Sequence, residues 1–145
     1  MPKLTIYTDG ACLGNPGPGG WGVVIQNEAG SVELSGNHHD TTNNRMEVLA
    51  VIKALEAVPG DSYDLTIYSD SQYMIKGITE WIKGWKKRQW KTADNKPVKN
   101  YDLWLTLDGL ASLHKITWKW VKGHNGNPGN ERADQLASAA AKRAA

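Results

Sequence analysis

The chain has 145 residues, 40% of them hydrophobic, with a net charge of +2, seven Trp, no Phe and one Cys. That length favours a single domain spanning residues 1–145 with enough apolar content for a core. A lone Cys12 forms no internal disulfide, and no leader or membrane-spanning run is visible, so a cytoplasmic protein with no membrane partner is expected.

Residues 3–9 alternate in polarity and predict a strand. Residues 10–20, rich in Gly and Pro, predict a turn, and 21–27 and 31–36 two more strands joined near Glu28-Ala29-Gly30, which makes an antiparallel meander. A helix is predicted over Thr41–Val58, with Glu47 on one stripe with Val51, Ala54 and Val58, and Pro59-Gly60 as its stop. Leu65–Ser69 reads as a strand ending at Asp70. Helical segments follow to about Trp85 and over 101–112, separated by a basic loop. Ile116–Trp120 alternates as a fifth strand, 123–130 is a loop, and Glu131–Lys142 an alanine-rich helix. The order βββαβααβα predicts a mixed α/β domain whose later strands run parallel with right-handed crossovers.

Charge is unevenly placed. Residues 81–99 hold Lys83, Lys86, Lys87, Arg88, Lys91, Lys96 and Lys99 against Asp94 alone, interleaved with Trp81, Trp85 and Trp90. Basic groups meet phosphates and aromatic faces meet sugars and bases, so this arm fits a polyanion better than a merely solvated surface does. Elsewhere four acids lie in short motifs at element boundaries: Asp9, Glu47, Asp70 and Asp134. Taken singly, they read as turn, cap or first-turn helix acids. Brought together, they would repel one another unless cations neutralised them. Oxygen ligands suit Mg²⁺ or Mn²⁺, and two such ions serve in-line attack on a phosphodiester. His124, on a glycine-flanked segment, adds a group that titrates near neutral pH.

The motifs that carry these acids are Tyr-Thr-Asp-Gly-Ala-Cys-Leu-Gly-Asn-Pro-Gly (7–17), Thr-Thr-Asn-Asn-Arg-Met-Glu (41–47), Ser-Asp-Ser-Gln-Tyr (69–73) and Gly-Asn-Glu-Arg-Ala-Asp (129–134). With Trp-Lys-Thr-Ala-Asp-Asn-Lys-Pro-Val-Lys-Asn (90–100) and Trp-Val-Lys-Gly-His (120–124), they resemble the type 1 ribonuclease H family, bacterial ribonuclease HI most of all, in order and over nearly the whole chain. The resemblance implies a ribonuclease H-like fold: a mixed five-stranded sheet of three antiparallel strands, then parallel strands with crossover helices, flanked by helices. It implies a monomeric, metal-dependent endoribonuclease that cleaves the RNA strand of RNA–DNA hybrids and leaves 5′-phosphate and 3′-hydroxyl ends. By the same resemblance, Asp9, Glu47, Asp70 and Asp134 hold two Mg²⁺ ions, with Mn²⁺ as a substitute, and His124 serves proton transfer or product release.

Substrate contacts carry over in the same way. Cys12, Gly14, Asn15, Asn43, Asn44 and Gln72 match minor-groove contacts, where 2′-hydroxyls distinguish RNA from DNA. Thr42 and Asn100 match a pocket for a DNA phosphate, Trp81 an aromatic against a DNA sugar, and Lys86, Lys87 and Arg88 belong to the basic arm. At residue 40 the family commonly has a basic residue in the phosphate pocket; here Asp40 stands instead, with His38, His39 or Arg45 as substitutes for the missing charge. The chain ends directly after its last helix, so substrate grip is expected to come from residues 81–99. A non-catalytic hybrid-binding module on this fold would be expected to lose a carboxylate. A resolvase- or transposase-like nuclease would lack the basic arm and the Thr-Thr-Asn-Asn segment.

Overall fold

A computed structural model of the protein describes residues 2–123 and 125–145. Three strands come first: β1 (Lys3–Cys12), β2 (Gly17–Asn27) and β3 (Gly30–Thr41). Helix α1 (Asn43–Ala57) and strand β4 (Asp64–Ser69) follow. A continuous helical run comprises α2 (Gln72–Lys76), a π-helical turn (Gly77–Trp81) and α3 (Ile82–Lys87). Helix α4 (Tyr101–Ala111), strand β5 (Lys115–Trp120) and helix α5 (Pro128–Arg143) complete the chain. The sheet order is β3-β2-β1-β4-β5. β1, β2 and β3 pair antiparallel, and β4 pairs parallel to β1 and β5. This is the mixed sheet expected from the sequence.

The hairpins are longer than the sequence indicates. β1 continues past Asp9 to Cys12, paired with β2 through Cys12↔Gly19, so the expected turn over 10–20 shrinks to residues 13–16. Glycines that read as loop formers are strand residues here, because α1 and α5 press so closely on the sheet that side chains have no room. β2 and β3 are likewise longer than 21–27 and 31–36. The last helix begins at Pro128 rather than Glu131: Asn127 caps it by accepting from the Asn130 N–H at 3.0 Å, and proline suits the first helical position. Asp134 is therefore a second-turn residue and not the first-turn acid that its sequence position allowed.

The main core lies between the sheet and α1, α2 and α4. Ile6, Val23, Leu65 and Ile67 from the strands meet Val48, Val51, Ile52 and Leu55 of α1 and Met74, Trp104 and Leu107. Trp104 is fully buried, and its indole donates to the Tyr73 hydroxyl at 3.1 Å, so the one polar atom of this ring is satisfied. On the other sheet face α5 presents Ala133, Ala137, Ala140 and Ala141, all buried, to the glycines of β2. A Cβ on Gly22 would collide with the Ala133 carbonyl oxygen and lie 2.8 Å from Leu136 Cβ. Small residues on both partners thus bring α5 close, which sets the height of Asp134 above the sheet.

Gly22→Ala should push α5 outward. The expected cost is about 1–3 kcal/mol, read as a lower denaturation midpoint.

Candidate active site: a carboxylate cluster beside a basic arm

The parallel pairing of β1 with β4 stops at Thr8↔Ser69, and the next residues on the two strands are Asp9 and Asp70. Asp9 does not end its strand, contrary to the sequence reading, but it does stand just past the last parallel pair. Both acids therefore leave the carboxyl end of the parallel ladder, where sites gather in α/β sheets. Glu47 reaches the same place from the first turns of α1. Gly10 lets that helix approach: a Cβ there would lie 2.5 Å from the Glu47 backbone nitrogen and 2.9 Å from Met46 Cβ.

Carboxylate oxygens of Asp9, Glu47 and Asp70 lie within 4.8 Å of one another. Asp134 joins them from α5 through a hydrogen bond to Asp9. Asp9 and Glu47 are buried and Asp70 is half-exposed. One oxygen of Glu47, Oε1, is buried without a hydrogen-bond partner among the described residues. Burial first, and then the neighbouring carboxylates Glu47 and Asp70, push Asp9 up to about 11. Burial and then Asp70 push Glu47 up to about 8. These protons belong to the cluster as a whole, which therefore retains protons at neutral pH when no cation is present. An orphaned carboxylate oxygen among mutually repelling acids, all hard oxygen donors, is a good fit for a divalent cation.

His124 lies outside the described residues. Gly123, just before it in the chain, is so close to Asp70 that a Cβ would lie 2.9 Å from Asp70 Oδ2.

Several of the expected substrate residues are linked by hydrogen bonds. Cys12, at the end of β1, donates from Sγ to the carbonyls of Thr41 and Gly17 at 3.4 and 3.5 Å. Gly14, at φ +89°, turns the chain between β1 and β2. Asn15 Oδ1 accepts from the Asn43 N–H at 3.1 Å and ties that turn to α1. Thr42 caps α1 by accepting from the Arg45 N–H at 3.2 Å, with Asn43 and Asn44 exposed in the first turn. Gln72 is exposed at the start of α2. Asn100, in left-handed backbone at φ 62°, donates to the Tyr73 hydroxyl at 3.0 Å and accepts from Arg45 at 3.2 Å. Arg45 forks onto Asp102 at 2.8 and 3.0 Å, so its charge lies beside Asn100, while Asp40 is exposed. Asp102, some sixty residues away in sequence, was not among the partners considered for Arg45.

In the arm, Trp85 and Trp90 pack rather than project. Trp85 lies 5.4 Å from Trp104 and 6.5 Å from Trp90 between ring centres, and Trp90 lies 5.3 Å from Tyr101. Trp81 is 39% exposed at the end of the π-helical turn, propped by Tyr73 at 5.9 Å. Lys87 and Arg88 are exposed, whereas Lys86 pairs with Asp108 at 2.8 Å. Sequence reasoning missed Tyr73, whose hydroxyl joins Asn100 to Trp104, and Asn130, buried with Oδ1 unpartnered among the described residues. Both lie inside the motifs that carry the acids, 69–73 and 129–134, but those motifs give neither a role of its own.

Comparison with known proteins agrees with this geometry. A sequence model of the RNase H family matches residues 1–142. The chain belongs to the ribonuclease H family. It is 61% identical over 138 residues to a ribonuclease H of Cupriavidus metallidurans, covering 95% of this chain and 94% of that one. It is 59% identical over 137 residues to a ribonuclease H of Maricaulis maris, covering 94% and 92%. Among solved structures it resembles a type 1 RNase H with the type 2 active-site motif, at TM-score 0.89 and 33% identity over 100% of this chain and 74% of the other. It also resembles an RNase H1 in complex with an RNA/DNA hybrid, at TM-score 0.74 and 27% identity over 97% of this chain and 98% of the other.

Two measurements follow from the site. The carboxylates of Asp9 and Glu47 bind protons more tightly folded than unfolded, so the unfolded chain holds fewer protons and stability falls as pH rises. In chelator, the melting temperature should decline between about pH 6 and 9, in the window from ordinary carboxylate values up to about 8 for Glu47 and 11 for Asp9. Mg²⁺ should cancel that decline, and Asp9→Asn should raise the metal-free melting temperature and flatten it. For the arm, Lys87→Ala should lower the salt slope of hybrid binding by roughly one unit for each phosphate that the side chain neutralises. Lys86→Ala should do less, because Asp108 already neutralises that charge.

Proposed function

We propose that this ribonuclease H family member is an endoribonuclease, a single domain over residues 1–145 that hydrolyses the RNA strand of RNA–DNA hybrids and leaves 3′-hydroxyl and 5′-phosphate ends. The observation that carries the proposal is the convergence of Asp9, Glu47 and Asp70 with Asp134 at one end of the parallel ladder. The similarity to an RNase H1 seen with an RNA/DNA hybrid supports the substrate class.

Asp9, Glu47, Asp70 and Asp134 would hold the metal, two Mg²⁺ ions with Mn²⁺ as substitute. When bound, the ions polarise the scissile phosphate and lower the pKa of the attacking water. The chain's own task is to hold the four acids together, with protons on the cluster until cations replace them, and to exclude side chains from the space between them. His124 would carry a proton or assist product exit. Cys12, Gly14, Asn15, Asn43, Asn44 and Gln72 would meet the minor groove, where amides and backbone groups both donate to and accept from 2′-hydroxyls; the Asn15–Asn43 contact supports this by tying the turn after β1 to α1.

Thr42 and Asn100 would receive a DNA phosphate. Arg45, held by Asp102, donates to Asn100 and orients it, but Asp102 matches its charge, so Arg45 adds no net charge to offset the acidic Asp40. Trp81 offers an exposed ring to the DNA sugar, and Lys86, Lys87 and Arg88 extend the grip along the backbone. No helix among the described residues is long and apolar enough to cross a membrane. Action as a cytoplasmic monomer is part of this proposal.

Asp70→Asn keeps the shape of the side chain and removes charge. It should abolish Mg²⁺-dependent cleavage of a labelled hybrid, while gel-shift affinity for the hybrid stays close to wild type. All-RNA and all-DNA duplexes should resist the wild-type protein. Equal cleavage of all three duplexes, or near-normal turnover by Asp70→Asn, would overturn the reading.

A further inference from the structure

Mutual repulsion in the carboxylate cluster has an easy escape. Asp9 and Glu47 are buried in strand and helix, but Asp70 is half-exposed and sits in a turn. Swinging Asp70 toward solvent would relieve the repulsion with the least disturbance of packing, so a turn that keeps Asp70 inward must be restrained. Several contacts do this. Ser69, buried, accepts from the Val121 N–H at its carbonyl, 2.9 Å, and from the Ser71 N–H at its hydroxyl, 3.0 Å. Ser71 caps α2 by accepting from the Met74 N–H at 3.0 Å. The Asp70 carbonyl itself accepts from the indole N–H of Trp120 at 3.1 Å.

The Trp120 contact differs in kind from the others. Ser69 pairs with Trp120 as the last register of β4 and β5, so the indole stands at the end of an edge strand beside the turn that it grips. Trp120 is 46% exposed. An exposed tryptophan at a sheet edge contributes little to the core, yet this one places its only polar atom on the backbone of a cluster residue. We propose that Trp120 is a positioning residue: its indole N–H holds the peptide after Asp70 and thereby keeps the Asp70 carboxylate facing Asp9 and Glu47. This rests on the reading of Asp70 as a metal-holding residue. Trp120 opens the Trp-Val-Lys-Gly-His motif (120–124) and ends the alternation of β5, but neither pattern gives it such a role.

Trp120→Phe and Trp120→Leu both keep a bulky apolar side chain and remove the donor that reaches the Asp70 carbonyl. Mg²⁺ affinity would be measured by calorimetry on the protein without hybrid, alongside steady-state cleavage at low and high Mg²⁺ and a melting curve in chelator. The expected result is a fall in Mg²⁺ affinity of about three- to ten-fold, the size of one hydrogen bond. Turnover at low Mg²⁺ should fall by the same factor and recover at saturating Mg²⁺. The Michaelis constant for the hybrid and its salt dependence should stay within about two-fold.

Unchanged Mg²⁺ affinity in both variants would overturn the proposal. So would a raised Michaelis constant with normal Mg²⁺ affinity, which would make Trp120 a substrate contact, or loss of the folded state in both, which would make it a structural residue. The underlying reading fails separately: wild-type protein that binds Mg²⁺ but leaves hybrids intact refutes the nuclease assignment, whatever the variants do.

Discussion

Four carboxylates held against their own repulsion are the constraint that the rest of the structure serves. Unit charges about 4 Å apart interact by several kcal/mol near a protein surface, so the metal-free cluster exists only because protons remain on it and because two strands and two helices hold it from behind. β1 and β4 supply Asp9 and Asp70 as the next residues after their last parallel pair. Helix α1 brings Glu47 in over Gly10, and α5 brings Asp134 down over the glycines of β2. Each helix needs a residue without a side chain where it meets the sheet. The glycines that read as flexible turns are therefore positioning devices, and the rigidity of the site comes from closeness of backbone to backbone.

That substitution of roles explains where sequence reading succeeded and where it did not. Strand and helix order was legible because alternation in β1, β4 and β5 and the stripe through Glu47, Val51 and Ala54 have one burial solution each. The extent of β1 and β2 was not legible. A run such as Gly19, Gly20 and Gly22 carries no periodicity, and its reason for being glycine lies in helices distant in sequence. The start of α5 was misplaced because a Gly- and Pro-bearing stretch reads as loop until the Asn127 cap is seen. Among site residues, the acids stood out through their motifs, and so did Thr42, Asn43 and Asn44 at a helix start. Pairings such as Arg45 with Asp102 or Tyr73 with Asn100 join residues far apart in sequence, which composition and spacing cannot express.

The basic arm has an internal logic of its own. Seven basic residues lie within residues 81–99, and repulsion among them would loosen a free loop. Instead the apolar half of the segment is fastened to the domain. Trp85 lies against Trp104, Trp90 against Tyr101, and the Trp90 carbonyl accepts from the Val98 N–H at 3.1 Å. Charges are left on the outer side, with Lys86 partly neutralised by Asp108. Trp85 and Trp90, which by sequence could equally pack the arm or touch substrate, are the fastening, while Trp81 stands exposed at the end of the π-helical turn. Gly77, which opens that turn, lies against the Trp104 ring, where a Cβ would collide with it.

Acidic pole and basic arm are joined by a short polar path, and this sets their relative position. Asn43 is tied to the turn at Asn15, Arg45 on the same helix reaches Asn100 and Asp102, and Asn100 reaches Tyr73, whose ring supports Trp81. Helix α1 is common to both regions: its first turns carry Glu47 into the carboxylate cluster and Arg45 toward the arm. A shift of α1 along its axis would therefore disturb the carboxylate cluster and the Arg45–Asn100 contact together. The capping of α1 by Thr42 and its seating over Gly10 fix that axis at the end where both functions begin. One helix terminus thereby keeps the distance between the cluster and the arm constant, which a nuclease must do if the duplex gripped by one is to be cut by the other.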